Sequence, residues 1–183
     1  MRLFTAIDLP DEIMGNLIAL LDRLKPTVRI KLSPPSNLHI TTKFIGEWPE
    51  DRLPELNKVL GALPTRSPFP IHLRNVGFHP NPHSPRVFFV GIEAPPELAA
   101  LARDIDRALA AIGVAPEQRP YTPHMTLARI KEPVPLQKLR QTIAELPPLD
   151  FGGFQADRFY LYQSRLQPAG SVYTRLSEFP LSK

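Results

Sequence analysis

The feature that most constrains the fold is a short motif, a histidine and a threonine separated by one residue, which occurs twice. The copies are residues 38–42 (Leu-His-Ile-Thr-Thr) and residues 123–127 (Pro-His-Met-Thr-Leu). Their histidines, His39 and His124, lie 85 positions apart in a chain of 183 residues. Each copy follows a proline-bearing turn and precedes a predicted helix that begins at an acidic residue or a proline. The repetition predicts two lobes of similar build, in a pseudo-twofold arrangement around a common cleft.

Hydrophobic periodicity predicts a mixture of strands and helices. We expect strands near residues 3–8, 28–32, 38–45, 69–77, 86–92, 124–130, 154–162 and 172–176, and helices near 10–26, 50–60, 96–112 and 136–146. Connections between neighbouring strands are often too short for crossovers, which favours antiparallel pairing. The expected fold is therefore α+β and bilobal, with mostly antiparallel sheets, outer helices and a central cleft, and residues 1–183 forming a single domain.

The spacing of the motif has a chemical meaning. Alternate residues of a strand point to the same face, so His39 projects beside Thr41. The same holds for His124 and Thr126. An imidazole can give or take a proton near neutral pH, and a threonine hydroxyl can donate a hydrogen bond to a phosphoryl oxygen. In-line displacement at phosphorus places the attacking and leaving oxygens on opposite sides, which suits one histidine on each wall of a cleft.

One copy alone is a weak signal, because a partly exposed structural histidine explains it equally well. Other chemistries have less support in the sequence. The chain has no cysteine, which removes thiolate metal sites and cysteine nucleophiles. His72, His79 and His83 are spaced irregularly and have few carboxylates nearby, so we interpret them as surface residues and predict neither a metal nor a cofactor. The net charge of +4 is compatible with a phosphate-bearing partner but is too small to indicate one.

The sequence also carries expectations about location. Asp8 and Pro10 interrupt any apolar run at the N-terminus, and no stretch approaches the length of a transmembrane helix. We therefore expect a cytoplasmic protein that does not associate with membranes, and a monomer.

The motifs together resemble those of the two-histidine phosphoesterase superfamily, in particular the bacterial and archaeal RNA 2′,3′-cyclic phosphodiesterases, long labelled 2′-5′ RNA ligases. The resemblance covers essentially the whole chain. It rests on residues 3–10 (LFTAIDLP), 38–46 (LHITTKFIG), 123–129 (PHMTLAR), 161–164 (LYQS) and 170–173 (GSVY). One departure is Thr42, where a hydrophobic residue is usual; we interpret it as a tolerated change on the face away from the site.

The resemblance implies a bilobal fold that hydrolyses an RNA 2′,3′-cyclic phosphate to a 2′-phosphomonoester, with reversible, ATP-independent 2′-5′ ligation in some members. It implies that His39 is the general acid to the 3′ leaving oxygen and that His124 is the base that activates water. The sequence itself does not distinguish the acid from the base, because both histidines stand in the same motif. Two alternatives stay open: a phosphodiesterase for a small cyclic nucleotide or an ADP-ribose cyclic phosphate, and a non-catalytic RNA-binding module that uses the same cleft.

Phe44 and Arg129 resemble family positions that contact the base of the substrate, and both side chains can stack on a nucleobase. Each lies five residues after its histidine, and an odd offset along a strand points to the opposite face. Contact with the substrate therefore requires a bulge or an early end of the strand. The alternative is core packing for Phe44 and an edge or ion-paired position for Arg129.

Overall fold

The computed structural model describes residues 1–182, which contain eight strands and four α-helices. In chain order these are β1 (Arg2–Ile7), α1 (Asp11–Leu24), β2 (Ile40–Glu47), α2 (Leu53–Gly61), β3 (Phe69–His79), β4 (Val87–Glu93), α3 (Pro96–Ala110), β5 (His124–Arg129), α4 (Gln137–Glu145), β6 (Asp150–Ala156), β7 (Arg158–Gln167) and β8 (Gly170–Pro180). None of the helices in this part of the chain is long and apolar enough to cross a membrane.

The strands form two four-stranded antiparallel sheets, which confirms the α+β bilobal prediction. The first sheet has the order β2-β1-β7-β8 and the second has the order β5-β4-β3-β6. The strand of each His-x-Thr motif is at an edge, beside the strand that precedes it in the chain. The strands of the second sheet come from residues 69–156 without interruption, whereas those of the first come from residues 2–47 and 158–180. In sequence, the strands of one sheet are therefore inserted between those of the other, and the lobes are not the two halves of the chain.

Amphipathic helices cover the sheets, and α1 illustrates why. Its acidic first turn, Asp11 and Glu12, suits the positive end of the helix dipole. Its buried side chains recur at helical spacing, and they are Ile13, Leu17, Leu20, Leu21 and Leu24. Each such side chain contributes about 1.5–3 kcal/mol when it leaves water. The helix α3 repeats the pattern with Leu98, Leu101, Ala102, Ile105 and Leu109, and it packs against α2 and β2.

Two sequence predictions about strands were wrong. Residues 28–32 form no strand; only Leu32 pairs, in an isolated antiparallel bridge to Ala128. The segment lies between Pro26 and Pro34, and only its last part reaches the edge of β5. The predicted strand 154–162 is two strands, β6 and β7, separated at Asp157. The polar residues at the break, Asp157 and Arg158, include neither glycine nor proline, so the sequence gives little signal for a turn.

Candidate functional site

A cleft of about 1440 Å³ lies where the edge strands β2 and β5 approach each other. Its lining includes all six residues that the sequence singled out: His39, Thr41, Phe44, His124, Thr126 and Arg129. The structure therefore brings together residues from both copies of the motif.

His39 stands immediately before β2, in an aromatic surround. The centroid of its ring lies 4.5 Å from that of Tyr162, 5.9 Å from Tyr173 and 6.4 Å from Phe4. Only 11% of the side chain is exposed. The Nδ1 atom is buried and makes no hydrogen bond of normal geometry to any described residue. Nε2 lies 3.6 Å from Oδ1 of Asp8.

These surroundings act on the protonation of His39 in opposite directions. Burial disfavours the imidazolium and is the main reason that the pKa of His39 is lowered. The carboxylate of Asp8 and the backbone of Asn37 raise this pKa, while the charge of Arg175 lowers it. Of the two charged side chains that act on His39, Asp8 is the one that favours the protonated ring.

Asp8 is held by two side chains of the C-terminal strands. The hydroxyl of Tyr162 donates to Oδ1 at 2.5 Å, and the guanidinium of Arg175 binds Oδ2. Burial and the neighbouring carboxylate raise the pKa of Tyr162, so it remains a donor. The motif analysis missed these three residues. A signal was present for Asp8, since it is a carboxylate that directly follows the buried strand β1.

His124, the first residue of β5, is exposed, unlike His39. Its Nδ1 lies 3.1 Å from the carbonyl oxygen of Thr122. A carbonyl can only accept, so Nδ1 carries the hydrogen and donates it. In the neutral ring, Nε2 then keeps a free lone pair. This nitrogen can accept a proton from water or from a ligand in the cleft.

The threonines of the two motifs have unoccupied hydroxyls. Among residues 1–182, neither Thr41 nor Thr126 uses its side-chain oxygen in a hydrogen bond; both bond through the backbone carbonyl, to Tyr121 and Ser33 respectively. The neighbouring Thr42 differs, because its hydroxyl lies 2.6 Å from that of buried Thr5. This pairing explains how Thr42 is tolerated in a buried position where the family usually has an apolar residue.

Phe44 and Arg129 line the cleft, and each strand has a bulge between its histidine and this residue, as the odd spacing of five residues required. Along β2 the pairing with β1 shifts once between His39 and Phe44, since Ala6 pairs with Thr41 but Thr5 pairs with Lys43. Along β5 the pairing with β4 shifts once, between Thr126 and Ala128. Each shift inserts an extra residue and resets the alternation of faces. Phe44 is 63% exposed, so it is not a core residue.

A buried lysine, also missed in the motif analysis, joins β2 to α3 and to the loop that follows α3. The side chain of Lys43 on β2 is 1% exposed. Its amine donates to Asp106 on α3 at 2.7 Å, to the carbonyl of Ala115 at 2.8 Å and to Glu117 at 3.2 Å. The loop from 115 to 121 is thereby held against β2, the strand of the first motif. Because the chain continues from this loop to His124, Lys43 helps to hold the approach to the second motif in place.

The remaining histidines lie elsewhere. His72 on β3 pairs with Asp150 at 2.6 Å, and His79 and His83 are exposed at and after the end of β3. No group of three or more potential metal-ligating side chains occurs within residues 1–182. Acid–base chemistry and hydrogen bonding are the functions that the cleft residues themselves can supply.

A cleft between two sheet edges, each of which contributes a histidine and a threonine two residues apart, defines the class of two-histidine phosphoesterases. Comparison with known proteins agrees. The family model for the 2′-5′ RNA ligase superfamily matches residues 11–167, and the chain belongs to this superfamily.

Several curated relatives span the full chain. The RNA 2′,3′-cyclic phosphodiesterase of Methanothermobacter thermautotrophicus is 36% identical over 182 residues, which cover 98% of each protein. That of Methanocaldococcus jannaschii is 37% identical over 180 residues, 98% of this chain and 100% of the relative. Among solved structures, TT0787 of Thermus thermophilus superimposes with a TM-score of 0.80 at 35% identity, over 99% of this chain and 98% of the other. E. coli LigT complexed with 3′-AMP gives a TM-score of 0.80 at 30% identity, over 100% and 98%.

Proposed function

We propose that the protein hydrolyses the 2′,3′-cyclic phosphate at an RNA end to a 2′-phosphomonoester. The observation that carries this proposal is the pair of unlike imidazoles in one cleft, a buried one beside a carboxylate and an exposed one with a free Nε2. The names of the relatives support it, since they are RNA 2′,3′-cyclic phosphodiesterases. The ligand of E. coli LigT, 3′-AMP, supports a nucleotide in the cleft.

In the proposed reaction, His124 is the general base. Its Nε2 takes a proton from a water molecule, whose oxygen attacks phosphorus. The bond between phosphorus and the 3′ oxygen breaks, and protonated His39 gives its proton to that oxygen. The products are a 2′-phosphomonoester and a 3′-hydroxyl. His124 ends protonated and His39 ends neutral, the reverse of the states in which they began. The exposure of His124 favours access of water, and Asp8 favours a protonated His39.

The hydroxyls of Thr41 and Thr126 donate to the non-bridging oxygens of the phosphate, where negative charge develops. Phe44 and Arg129 contact the base of the terminal nucleotide. Ligation would be the same displacement with the 5′-hydroxyl of a second RNA in place of water. Its oxygen attacks phosphorus, the bond to the 3′ oxygen breaks, that oxygen takes the proton of His39, and a 2′-5′ phosphodiester forms without ATP. We further propose that residues 1–183 act as one domain and as a monomer, because one chain supplies both walls of the cleft. We also propose that the protein acts in the cytoplasm, in keeping with a sequence that contains no cysteine.

The test is a pH–rate profile with an RNA that ends in a 2′,3′-cyclic phosphate, followed by ³¹P NMR of the product. We expect a bell-shaped dependence of kcat/KM, because one imidazole must be protonated and the other neutral. His39→Ala and His124→Ala should each remove most activity. The double variant should be little worse than either single variant, because the two groups act as a unit. Near-full activity in either folded single variant would refute the mechanism, and a 3′-phosphate product would refute the assignment of the leaving oxygen.

A further inference from the structure

The last part of the loop before His124 depends on one tyrosine hydroxyl. Residues 115–123 belong to no helix or strand, and they make no backbone-to-backbone hydrogen bond within residues 1–182. Three prolines in this loop have no N–H to donate. The bonds of Lys43 hold the loop as far as Glu117. In residues 118–123, the hydroxyl of Tyr121 makes the only side-chain hydrogen bond that the loop donates to the rest of the described chain.

The anchor for this hydroxyl is a strand of fixed position. Tyr121 donates to the carbonyl oxygen of Thr41 at 2.7 Å. Thr41 belongs to β2 and pairs with Ala6 of β1, a strand that is buried at five of its six positions. The ring of Tyr121 packs against the core, and burial raises the pKa of its hydroxyl, so the hydroxyl remains a donor. The tyrosine thus fastens the approach to the second motif to the strand of the first.

The fastened segment in turn holds His124. Tyr121 is followed directly by Thr122, whose carbonyl oxygen lies 3.1 Å from Nδ1 of His124. That hydrogen bond selects the tautomer with the hydrogen on Nδ1 and leaves Nε2 free to accept a proton. The other neighbour of the ring is Phe89 of β4, which meets it edge to face with 6.0 Å between the centroids. Phe89 offers no hydrogen bond, so the Thr122 carbonyl alone decides between the two ring nitrogens.

The two histidines of the cleft differ in what restrains them. His39 is largely buried among aromatic rings, and this packing orients its imidazole. His124 is exposed on an edge strand. Exposed side chains change rotamer within picoseconds to nanoseconds unless a contact holds them. The orientation of His124 therefore depends on the carbonyl that binds it, and on whatever fixes that carbonyl.

We propose that Tyr121 is a positioning residue for His124: through the carbonyl of Thr122, it keeps the hydrogen on Nδ1 and leaves Nε2 free as the base. This inference rests on the proposed function, in which Nε2 takes a proton from water. Without the hydroxyl, residues 118–123 lose their bond to β2, and the Thr122 carbonyl no longer stays opposite Nδ1. The neutral ring then divides between its two tautomers, of which only one can use Nε2 as a base. The chemical step slows, whereas substrate binding, which does not require that tautomer, changes little.

The test is the Tyr121→Phe variant, which removes the hydroxyl and keeps the ring in the core. The matched control is Ser177→Ala, which removes a hydroxyl that lies 2.6 Å from Oδ1 of Asn57, outside the cleft. With a nucleoside 2′,3′-cyclic phosphate, we expect kcat to fall about 10- to 100-fold in Tyr121→Phe, the upper value being that of a misplacement of about 1 Å. KM should stay close to that of the wild type. Ser177→Ala should match the wild type in both constants.

The tautomer of His124 can be measured without any substrate. Two-dimensional ¹H–¹⁵N NMR of the imidazole rings at about pH 9, where an ordinary histidine is neutral, distinguishes a nitrogen that carries hydrogen from one that does not. The signal of His124 is the one that disappears in His124→Ala. The wild type and Ser177→Ala should carry the hydrogen on Nδ1, whereas Tyr121→Phe should contain both tautomers. Urea titrations at the same pH verify that each variant is folded.

Three results would overturn the proposal while leaving the proposed hydrolysis intact. The first is a fall in kcat with the tautomer of His124 unchanged, and the second is wild-type kcat in folded Tyr121→Phe. The third is a rise in KM alone, which would make Tyr121 a contact of the substrate. If the wild type did not hydrolyse the cyclic phosphate, the proposed function itself would fail, and the NMR comparison would still decide whether Tyr121 holds His124.

Discussion

Replacement of Asp8 by Asn should move one limb of the pH–rate profile in a direction that the structure fixes. The change removes a negative charge 3.6 Å from Nε2 of His39 and keeps an oxygen that can accept from Tyr162. Because Asp8 raises the pKa of His39, its loss lowers that pKa further. As the proposed general acid, His39 is active only when protonated, so its titration sets the alkaline limb of kcat/KM. The Asp8→Asn variant should therefore lose activity at high pH and keep more of it at low pH.

The size of this loss follows from the geometry. An opposite charge within about 4–6 Å changes a protonation equilibrium about 10- to 1,000-fold. Asp8 shares its charge with Arg175, and 23% of its side chain is exposed to screening water. We therefore expect the lower end of the range, about a tenfold decrease in kcat/KM at pH 7.5, and a smaller decrease as the pH approaches 5.

The comparison variant is Arg175→Gln, because the charge of Arg175 lowers the pKa of His39. It should move the alkaline limb to higher pH, opposite to the effect of Asp8→Asn. Initial rates on a cyclic-ended RNA from pH 4.5 to 9 at constant ionic strength measure both shifts, and circular dichroism at each pH verifies folding. A loss that is equal at every pH, or a shift of both variants in the same direction, would refute this account of Asp8.

Four further predictions follow from contacts in and around the cleft. Lys43→Met should lower the free energy of unfolding by about 1–3 kcal/mol at pH 7 in urea titrations, below the range for fully buried pairs because its acidic partners are partly exposed. Burial raises the pKa of Asp106, but the bonds from Lys43 and the Glu117 amide lower it overall. The difference in unfolding free energy between the wild type and Lys43→Met should therefore shrink as the pH falls and Asp106 becomes protonated. A difference that does not depend on pH would contradict this pairing. Thr41→Ala and Thr126→Ala should each slow hydrolysis by about 10²–10³-fold with unchanged melting temperatures; unchanged rates in both would mean that the hydroxyls only support the strands. Arg129→Ala should raise KM more than it lowers kcat, and a variant that mainly loses folded protein would indicate a structural arginine. Activity should survive exhaustive treatment with EDTA, whereas loss that a divalent ion restores would show that a metal is required.

Much of the architecture could be predicted because its signals are local. The helical stripe of α3 and the strand that contains Thr126 appear in the pattern of apolar residues. The break at Asp157 could not be predicted in this way, because apolar residues occur close to it on both sides, Phe154 and Ala156 in β6 and Phe159 in β7. The single bridge at Leu32 depends on a partner strand almost a hundred residues later in the chain.

From the sequence, candidate site residues could be identified only within the repeated motif and shortly after it. Strand parity correctly required a bulge before Phe44 or Arg129 could join the histidines, but no local feature fixes where an extra residue is inserted. The difference between His39 and His124 was also hidden, because burial and the placement of Asp8 arise only when distant strands pack. The charge of the cleft could not be predicted from composition either. Its lining contains eight lysines and arginines and three acidic residues, but the net charge of +4 for the whole chain does not show where these residues lie.

The insertion of one lobe into the other gives the two histidines different histories during synthesis. The ribosome has made every strand of the sheet that carries His124 once Ala156 has been added. The sheet beside His39 still lacks β7 and β8, which supply Tyr162, Tyr173 and Arg175. A chain that ends at β6 therefore contains all the strands around the proposed base but not those around the proposed acid. The surround of the proposed acid is complete only when β8 has been made, although both histidines are already present.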